Sequence, residues 1–349
     1  MSFTNKVVVA TGGVKGIGKC IVDEFKSRGV KVCIIDIFNN DYFIGDISDK
    51  ATLERFAGKV ITDYGHVDVL VNNVLPPMKG IDECNYEDFN YALRVGMTAL
   101  FYLSKLFAPH FSSGASIINI SSSRDRMSQP QTESYTAAKG GIVALTHGMT
   151  VSFAGKARVN SISPGWIDNA YKDNDEADAK QHPAGRVGNP LDIANMVLFL
   201  SSDKAGFITG ENICIDGGML LAEFKNAYKN ILKYCIRIDP TGDAFDIHCI
   251  ELIERNYNKW QFDWRDFESE KIQEIVCHTL NNFNEYLYYL SDKYMRLLPS
   301  NPDFLICKNQ SIKEGERLRE ELRPNSIRIR EELRDRYLEL WPAKEPTPK

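Results

Sequence analysis

Lys6–Gly29, KVVVATGGVKGIGKCIVDEFKSRG, decides how the chain is read. Lys6–Ala10 is a short β-branched run of the kind that forms a buried strand. Thr11, Gly12, Gly16 and Gly18 follow it and open a helix, in which Ile17, Ile21, Val22 and Phe25 fall on one face. Gly29 ends that helix. Glycines let the backbone turn tightly and approach an anion, and the N–H groups at a helix start meet the negative charge. A glycine-rich turn alone is a weak signal. Flanked by strand and helix, it reads as a cradle for the pyrophosphate of a dinucleotide.

The same alternation continues outward. Lys31–Asp36, Val67–Asn72, Ser116–Ser121, Ala157–Ile162 and Asn212–Ile215 read as strands. Thr52–Asp63, Tyr86–His110, Tyr135–Phe153 and Pro190–Leu200 read as helices. Strands alternating with helices imply an α/β, doubly wound parallel sheet with helices on both faces. Such sheets bind ligands beyond the carboxyl ends of their strands.

Composition breaks near residue 222. Residues 1–222 hold 22 of the 24 glycines, and about one residue in five is charged. Residues 223–349 hold Gly242 and Gly315 only, and about one in three is charged. Two segments are therefore expected: a dinucleotide-binding domain over 1–222 and an all-α extension of unknown role over 223–349. In the extension, Ile272, Val276, Leu280, Phe283, Leu287, Leu290, Tyr294 and Leu297 recur at steps of three and four. They suggest a helix of about 40 Å, closed by Pro299 and Pro302. A second helical pattern runs from Leu318 and Leu322 past Pro324 into Ile327–Trp341. Bundle core is the plain reading of the long stripe, and partner recognition the sharper one.

The formal charge of −5 argues against a general nucleic-acid binder, which needs a basic face. The arginines of 317–330 alternate with glutamates, which is a salt-bridged surface pattern. No apolar run reaches the ~18 residues of a membrane helix, and the N-terminus lacks a secretory pattern. Eight widely spaced cysteines then read as reduced thiols of a cytoplasmic protein. His248-Cys249 and Cys277-His278 are poor zinc sets, because helix neighbours point ~100° apart.

Asp36 ends the second strand, where a carboxylate can bond both ribose hydroxyls and repel a 2′-phosphate. That favours NAD over NADP. Lys15 in the glycine turn pulls the other way. Tyr135 and Lys139, four apart at a helix start, share a face. A tyrosine with a pKa near ~10 needs help to act as a base, and an adjacent ammonium would lower that pKa. Ser122 follows the Ser116–Ser121 strand and reaches the same region.

Together these residues resemble the short-chain dehydrogenase/reductase family, a Rossmann fold, over about residues 5–220. TGGVKGIG (Thr11–Gly18) is similar to its TGxxxGxG. Asp36 and Asp46-Ile47 resemble its adenosine contacts, and Asn72-Asn73 its Asn-Asn-Ala-Gly segment. Ser122, twelve residues, Tyr135, three residues and Lys139 match its catalytic spacing. Pro164–Ile167 and Asp216–Gly218 resemble its late motifs. The resemblance implies hydride transfer between a nicotinamide and a carbonyl or secondary alcohol. Tyr135 is then the proton donor or acceptor, Ser122 orients the substrate oxygen, and Lys139 holds the nicotinamide ribose. Gly12, Lys15, Gly16, Ile17, Gly18, Asp36, Asp46, Ile47, Asn73, Tyr135, Lys139 and Ile167 become the cofactor contacts. It also implies a homodimer or homotetramer packed through the long helix and the Tyr135–Phe153 helix, with Ala137, Ala138, Gly140 and Gly141 permitting close approach.

Three positions depart from the family pattern. Gly96 stands where the family has an asparagine that serves a proton relay. Leu75 replaces a glycine near the cofactor. Asp36 and Asp46 lie too close together for a crossover helix, so an irregular loop must link their strands. Substrate signals are thinner. Arg124, in the loop after Ser122, could clamp a carboxylate or phosphate, or Asp125 could simply sit between two solvated arginines. Trp166 and the polar segment Asp168–His182 occupy the family's lid position, which reads as mobile and favours small polar alcohols or ketones. The alternatives are a non-catalytic NAD(H) sensor or scaffold acting through the extension, and an extension with no bearing on the chemistry.

Overall fold

All five residues of Val7–Thr11 (β1) are buried, as expected of a strand covered on both faces. Val7 and Val9 point to one side of the sheet, Val8 and Ala10 to the other. The computed structural model describes residues 3, 5–169, 176–220, 222, 245–246, 295–298, 301–307, 324 and 327–335. The chain divides into two compact units, Met1–Ala222 and Glu223–Lys349.

In the first unit β1 is flanked by β2 (Lys31–Asp36) and β4 (Val67–Asn72), both parallel to it. With β3 (Phe43–Ile44), β5 (Phe111–Ile120), β6 (Ala157–Pro164) and β7 (Asn212–Ile215) they form a seven-stranded sheet. Its order is β3-β2-β1-β4-β5-β6-β7, and all its pairs are parallel. The order reverses beside β1, so a crevice opens between the ends of β1 and β4. One face is covered by α2 (Lys50–Tyr64), α4 (Ala99–Phe107) and α5 (Glu133–Ser152) through Phe56, Leu103, Phe107 and Met149. The other is covered by α1 (Gly16–Lys26) and α7 (Pro190–Leu200) through Ile21, Val22, Phe25, Ile193 and Val197. This is the expected doubly wound fold.

The link between β2 and β3 is as short as the sequence requires. The two strands pair in parallel, Ile35 with Phe43 and Asp36 with Ile44. Asn40 makes this possible by acting as a local backbone substitute. Its Nδ2 donates to the carbonyls of Phe38 (3.0 Å) and Phe43 (2.9 Å), and its Oδ1 accepts from the N–H groups of Tyr42 and Phe43 (both 2.9 Å).

The helix expected over Tyr86–His110 is interrupted. α3 (Tyr86–Leu93) gives way to a π-helical turn, Arg94–Thr98, before α4 resumes. Gly96 lies in that turn and is buried. A Cβ there would stand 2.8 Å from Ala138 Cβ and 3.1 Å from Pro76 Cγ. The small residues of α5 therefore divide. Ala138 and Gly141 pack on Gly96 and Met97, while Gly140 has open space beside it.

In the second unit the described residues include strands, which corrects the all-α expectation. Phe245–Asp246 (β8), Met295–Leu298 (β9) and Asn301–Cys307 (β10) form an antiparallel sheet in the order β8-β10-β9. Leu297, read as the last residue of a helical stripe, pairs with Leu305. Short apolar runs such as Phe304–Cys307 fit either period, which is why the helix reading failed there. Pro302 falls where the β9–β10 register shifts, a place where a missing N–H is tolerated. Residues 327–335 are helical, with Ile329 and Leu333 buried one turn apart. The rest of the expected stripe, the Leu318–Leu322 pattern and the His-Cys pairs at 248–249 and 277–278 lie outside the described residues. Among the described residues no helix is long and apolar enough to cross a membrane, and Cys33, Cys84 and Cys214 form no disulfide.

Replacing Asn40 with alanine is expected to destabilise the first unit by ~1–2 kcal/mol, because four backbone groups lose their partner at once. Urea unfolding of the variant checks this. An unchanged midpoint would show that water satisfies the loop equally well.

Candidate active site

The crevice beyond β1 and β4 is a cleft of about 630 Å³. Its floor is the β1–α1 turn. Gly12 and Gly16 have φ of +66° and +54°, a region side chains rarely adopt. A Cβ on Gly18 would overlap the Gly12 carbonyl oxygen, so only glycine lets helix and turn meet this closely. α2, α3 and α7 begin with side-chain caps from Asp49, Asn85 and Asn189. α1 has no side-chain cap and no acidic residue in its first turn, and Lys15, Gly16 and Ile17 line the cleft. Uncapped amides opening into a cleft fit the pyrophosphate of a dinucleotide. Asn73 braces this floor: its N–H donates to Thr11 Oγ1 and its Nδ2 to the Gly12 carbonyl, both at 3.0 Å.

Asp36, at the end of β2, is buried beside the turn. Its carboxylate accepts from the N–H groups of Val14 and Phe38, each at 3.1 Å. Those bonds hold it at the cleft edge with lone pairs to spare. Lys15 does not stand free, since its ammonium lies 3.5 Å from the centre of the Phe38 ring. Asp46 accepts from Ser48 N–H (2.8 Å) and Tyr91 O–H (3.3 Å), and Ile47 is buried next to it. Leu75, at the position that departs from the family, is exposed at the mouth of the cleft and adds apolar surface there.

Ser122, Tyr135 and Lys139 all line the same cleft, with Ile167 and Asn169 on its far wall. Ser122 follows β5, Tyr135 and Lys139 lie in the first turns of α5, and the Ser122 hydroxyl is close enough to Tyr135 to favour its ionised form. Lys139 is almost wholly buried, its Nζ donating to the Ile120 carbonyl at 2.7 Å and standing 5.7 Å from the Tyr135 ring centre. The electrostatics differ from the sequence expectation. Burial pushes the Lys139 pKa down to about 7, so it is not a fixed cation at neutral pH. Burial likewise raises the Tyr135 pKa above its ordinary value. The groups that oppose this are the Ser122 hydroxyl and the Arg124 guanidinium, not Lys139.

The loop after Ser122 is built rather than solvated. Asp125 accepts from Asn212 Nδ2 (2.8 Å) and Ser163 Oγ (3.2 Å), tying this loop to β6 and β7. Arg126 is exposed and 3.8 Å from Asp125, while Arg124 is half-buried. Nothing in the sequence near Asp125 marks it as internal, because its partners lie 38 and 87 residues away. His182 is the second residue that sequence reading missed. It belongs to the segment read as a mobile lid, yet it is buried, 6.2 Å from the Trp166 ring and packed over Gly217. The end of that segment is buried at His182, with α6 (Glu176–Lys180) leading into it. Among the described residues no cluster could hold a metal ion.

The family described as enoyl-(acyl carrier protein) reductase matches residues 12–220, more than half of the chain. This chain belongs to the short-chain dehydrogenase/reductase family. An uncharacterized oxidoreductase of Thermotoga maritima is 41% identical over 244 residues, covering 61% of this chain and 95% of that protein. The L-fucose dehydrogenase of Mus musculus is 32% identical, covering 68% and 97%. Among solved structures, an apo SCOR enzyme from Clostridium thermocellum superposes with a TM-score of 0.58 at 42% identity, covering 62% of this chain and 93% of that one. The aldohexose dehydrogenase of Thermoplasma acidophilum has the same TM-score at 27% identity, covering 62% and 94%. Short-chain dehydrogenases are oxidoreductases that work with nicotinamide cofactors, and the uncapped glycine turn of this chain fits one.

The Lys139 pKa carries a sign that can be tested. The folded value near 7 lies below the ordinary 10.5, so the unfolded chain binds more protons between them. The contribution of Lys139 to stability is therefore full at high pH and lost as pH falls towards 7. Unfolding midpoints of the cofactor-free protein, measured as wild type minus Lys139→Met, are expected to rise from pH 6.5 to pH 9. A flat difference would mean that the buried ammonium is stabilised by groups other than the Ile120 carbonyl.

Proposed function

We propose that this chain is a cytoplasmic, NAD-dependent dehydrogenase that interconverts a secondary alcohol and a carbonyl on a small polar substrate. The observation that carries this reading is the convergence of Ser122, Tyr135 and Lys139 on one cleft with the glycine turn. When bound, the nicotinamide supplies or accepts the hydride at the substrate carbon. In reduction, Tyr135 gives its phenolic proton to the substrate oxygen; in oxidation, it takes that proton back. Ser122 donates to the same oxygen and steadies charge as it develops there. Lys139 would hold the nicotinamide ribose, and its titration near neutral pH suits it to return protons to Tyr135. Gly12, Gly16, Ile17 and Gly18 would cradle the pyrophosphate, with Asp46, Ile47, Asn73 and Ile167 around the rest of the cofactor.

NAD is preferred to NADP on the arrangement at Asp36. Its carboxylate would accept from ribose hydroxyls and repel a 2′-phosphate, and the Lys15 cation is engaged with Phe38. The mouse relative is named for L-fucose and the Thermoplasma one for aldohexoses, which favours small polar substrates. We also propose a homodimer or homotetramer. Phe101 on α4 and Val151 on α5 are exposed apolar residues on the helices that family members pack together. The division at residue 222 would separate the enzyme from an added unit of its own.

Tyr135→Phe is expected to lower kcat by about 10³-fold or more, because the phenol is the proton donor. NADH affinity, read by fluorescence titration, should stay within a factor of about three, since ring and packing are kept. Unchanged turnover would exclude Tyr135 as the proton donor. Asp36→Ala is expected to raise the KM for NAD about tenfold while improving the use of NADP. Steady-state kinetics with both cofactors decide this; an unchanged preference would remove Asp36 from cofactor selection.

A further inference from the structure

Arg124 has no partner where one is needed. Arg28, Arg126 and Arg186 each meet a carboxylate, and Arg158 donates to the carbonyls of Leu200 and Ser202. The Arg124 Nη1 is buried with no hydrogen-bond acceptor. The adjacent carboxylate does not neutralise it. Asp125 Oδ2 is engaged by Ser163 and Asn212, and Oδ1 is buried without a partner of its own. Burying a guanidinium N–H unpaired is costly.

The position of Arg124 says what an acceptor there would belong to. Its backbone N–H donates to Ser122 Oγ at 3.2 Å, so the guanidinium and the hydroxyl at the reacting oxygen hang from one short turn. Its charge reaches the Tyr135 hydroxyl. A planar fork of this kind matches a carboxylate bidentately. Phosphate sites gather several cations, and neither neighbouring cation joins Arg124 here: Arg126 is drawn to Asp125 and Lys139 to the Ile120 carbonyl.

We propose that Arg124 determines specificity by binding the carboxylate of the substrate, so that the reaction interconverts a 2- or 3-hydroxy acid and its oxo acid. This rests on the dehydrogenase reading above, and it narrows the substrate from small polar compounds to anionic ones.

The test uses the full chain loaded with NADH, with loading itself as the control for folding. Titration calorimetry with oxamate, acetoacetate, methyl acetoacetate and inorganic phosphate measures binding without requiring turnover. At least one of the two carboxylates should bind, with methyl acetoacetate about tenfold or more weaker than acetoacetate if acetoacetate is the one bound. Arg124→Gln should lose about tenfold or more of carboxylate affinity, and Arg124→Lys should fall between. Where lactate, malate or 3-hydroxybutyrate is turned over, Arg124→Gln should raise KM more than it lowers kcat. The proposal is overturned if neither carboxylate binds, if phosphate alone binds, if Arg124→Gln binds carboxylates as tightly as wild type, or if L-fucose is the preferred substrate and is indifferent to Arg124. Failure of the dehydrogenase reading looks different: no carbonyl is reduced by wild type, while the binding titrations still decide what Arg124 holds.

Discussion

The contact on which the molecule depends is between Gly18, at the start of α1, and the carbonyl of Gly12. No side chain fits between them. This approach lets α1 leave the end of β1 at once, with uncapped amides facing the crevice. Asn73 then ties the end of β4 to the same turn through the Gly12 carbonyl and Thr11. The crevice, the bend of the chain and the uncapped end of the helix are thus one construction. Asp36 is added to it through the Val14 N–H, so the residue that would read the ribose is positioned by the turn that would hold the pyrophosphate.

The second half of the site is positioned by burial. Lys139 has its ammonium sunk beneath α5 with one carbonyl for company, and its charge becomes marginal at neutral pH. Tyr135, above it, is also made harder to ionise. Burial therefore disfavours a permanent cation beside the phenol. A positive neighbour for Tyr135 does exist, but it is Arg124, from the loop after Ser122. If that residue also grips the substrate, binding and ionisation of the phenol are coupled through one guanidinium.

Much of the first unit was legible because its signals are local. Strands such as Lys31–Asp36, Val67–Asn72 and Asn212–Ile215, and the helix Pro190–Leu200, have bounds set by apolar period and flanking breakers. The short β2–β3 link was countable from residue numbers, though not the way Asn40 closes it. The π turn at Arg94–Thr98 interrupts what was read as one helix. Where apolar runs were short and flanked by proline, as at Met295–Cys307, the helical reading failed, because period alone does not separate a buried strand from a helix.

What the sequence determined by itself is the order of the main elements of the first unit, the glycine turn and the Ser122–Tyr135–Lys139 spacing, since each depends on residues near one another in the chain. Tertiary structure alone decided the charge states and the partnerships. Asp125 became internal through Ser163 and Asn212, His182 through Trp166 and Gly217, and Ala138 through Gly96. Burial is a property of what surrounds a group, and those surroundings come from distant parts of the chain. Hence Lys139 could be found by counting from Tyr135, but only the fold shows that burial lowers its pKa and that the Arg124 Nη1 stands unpaired.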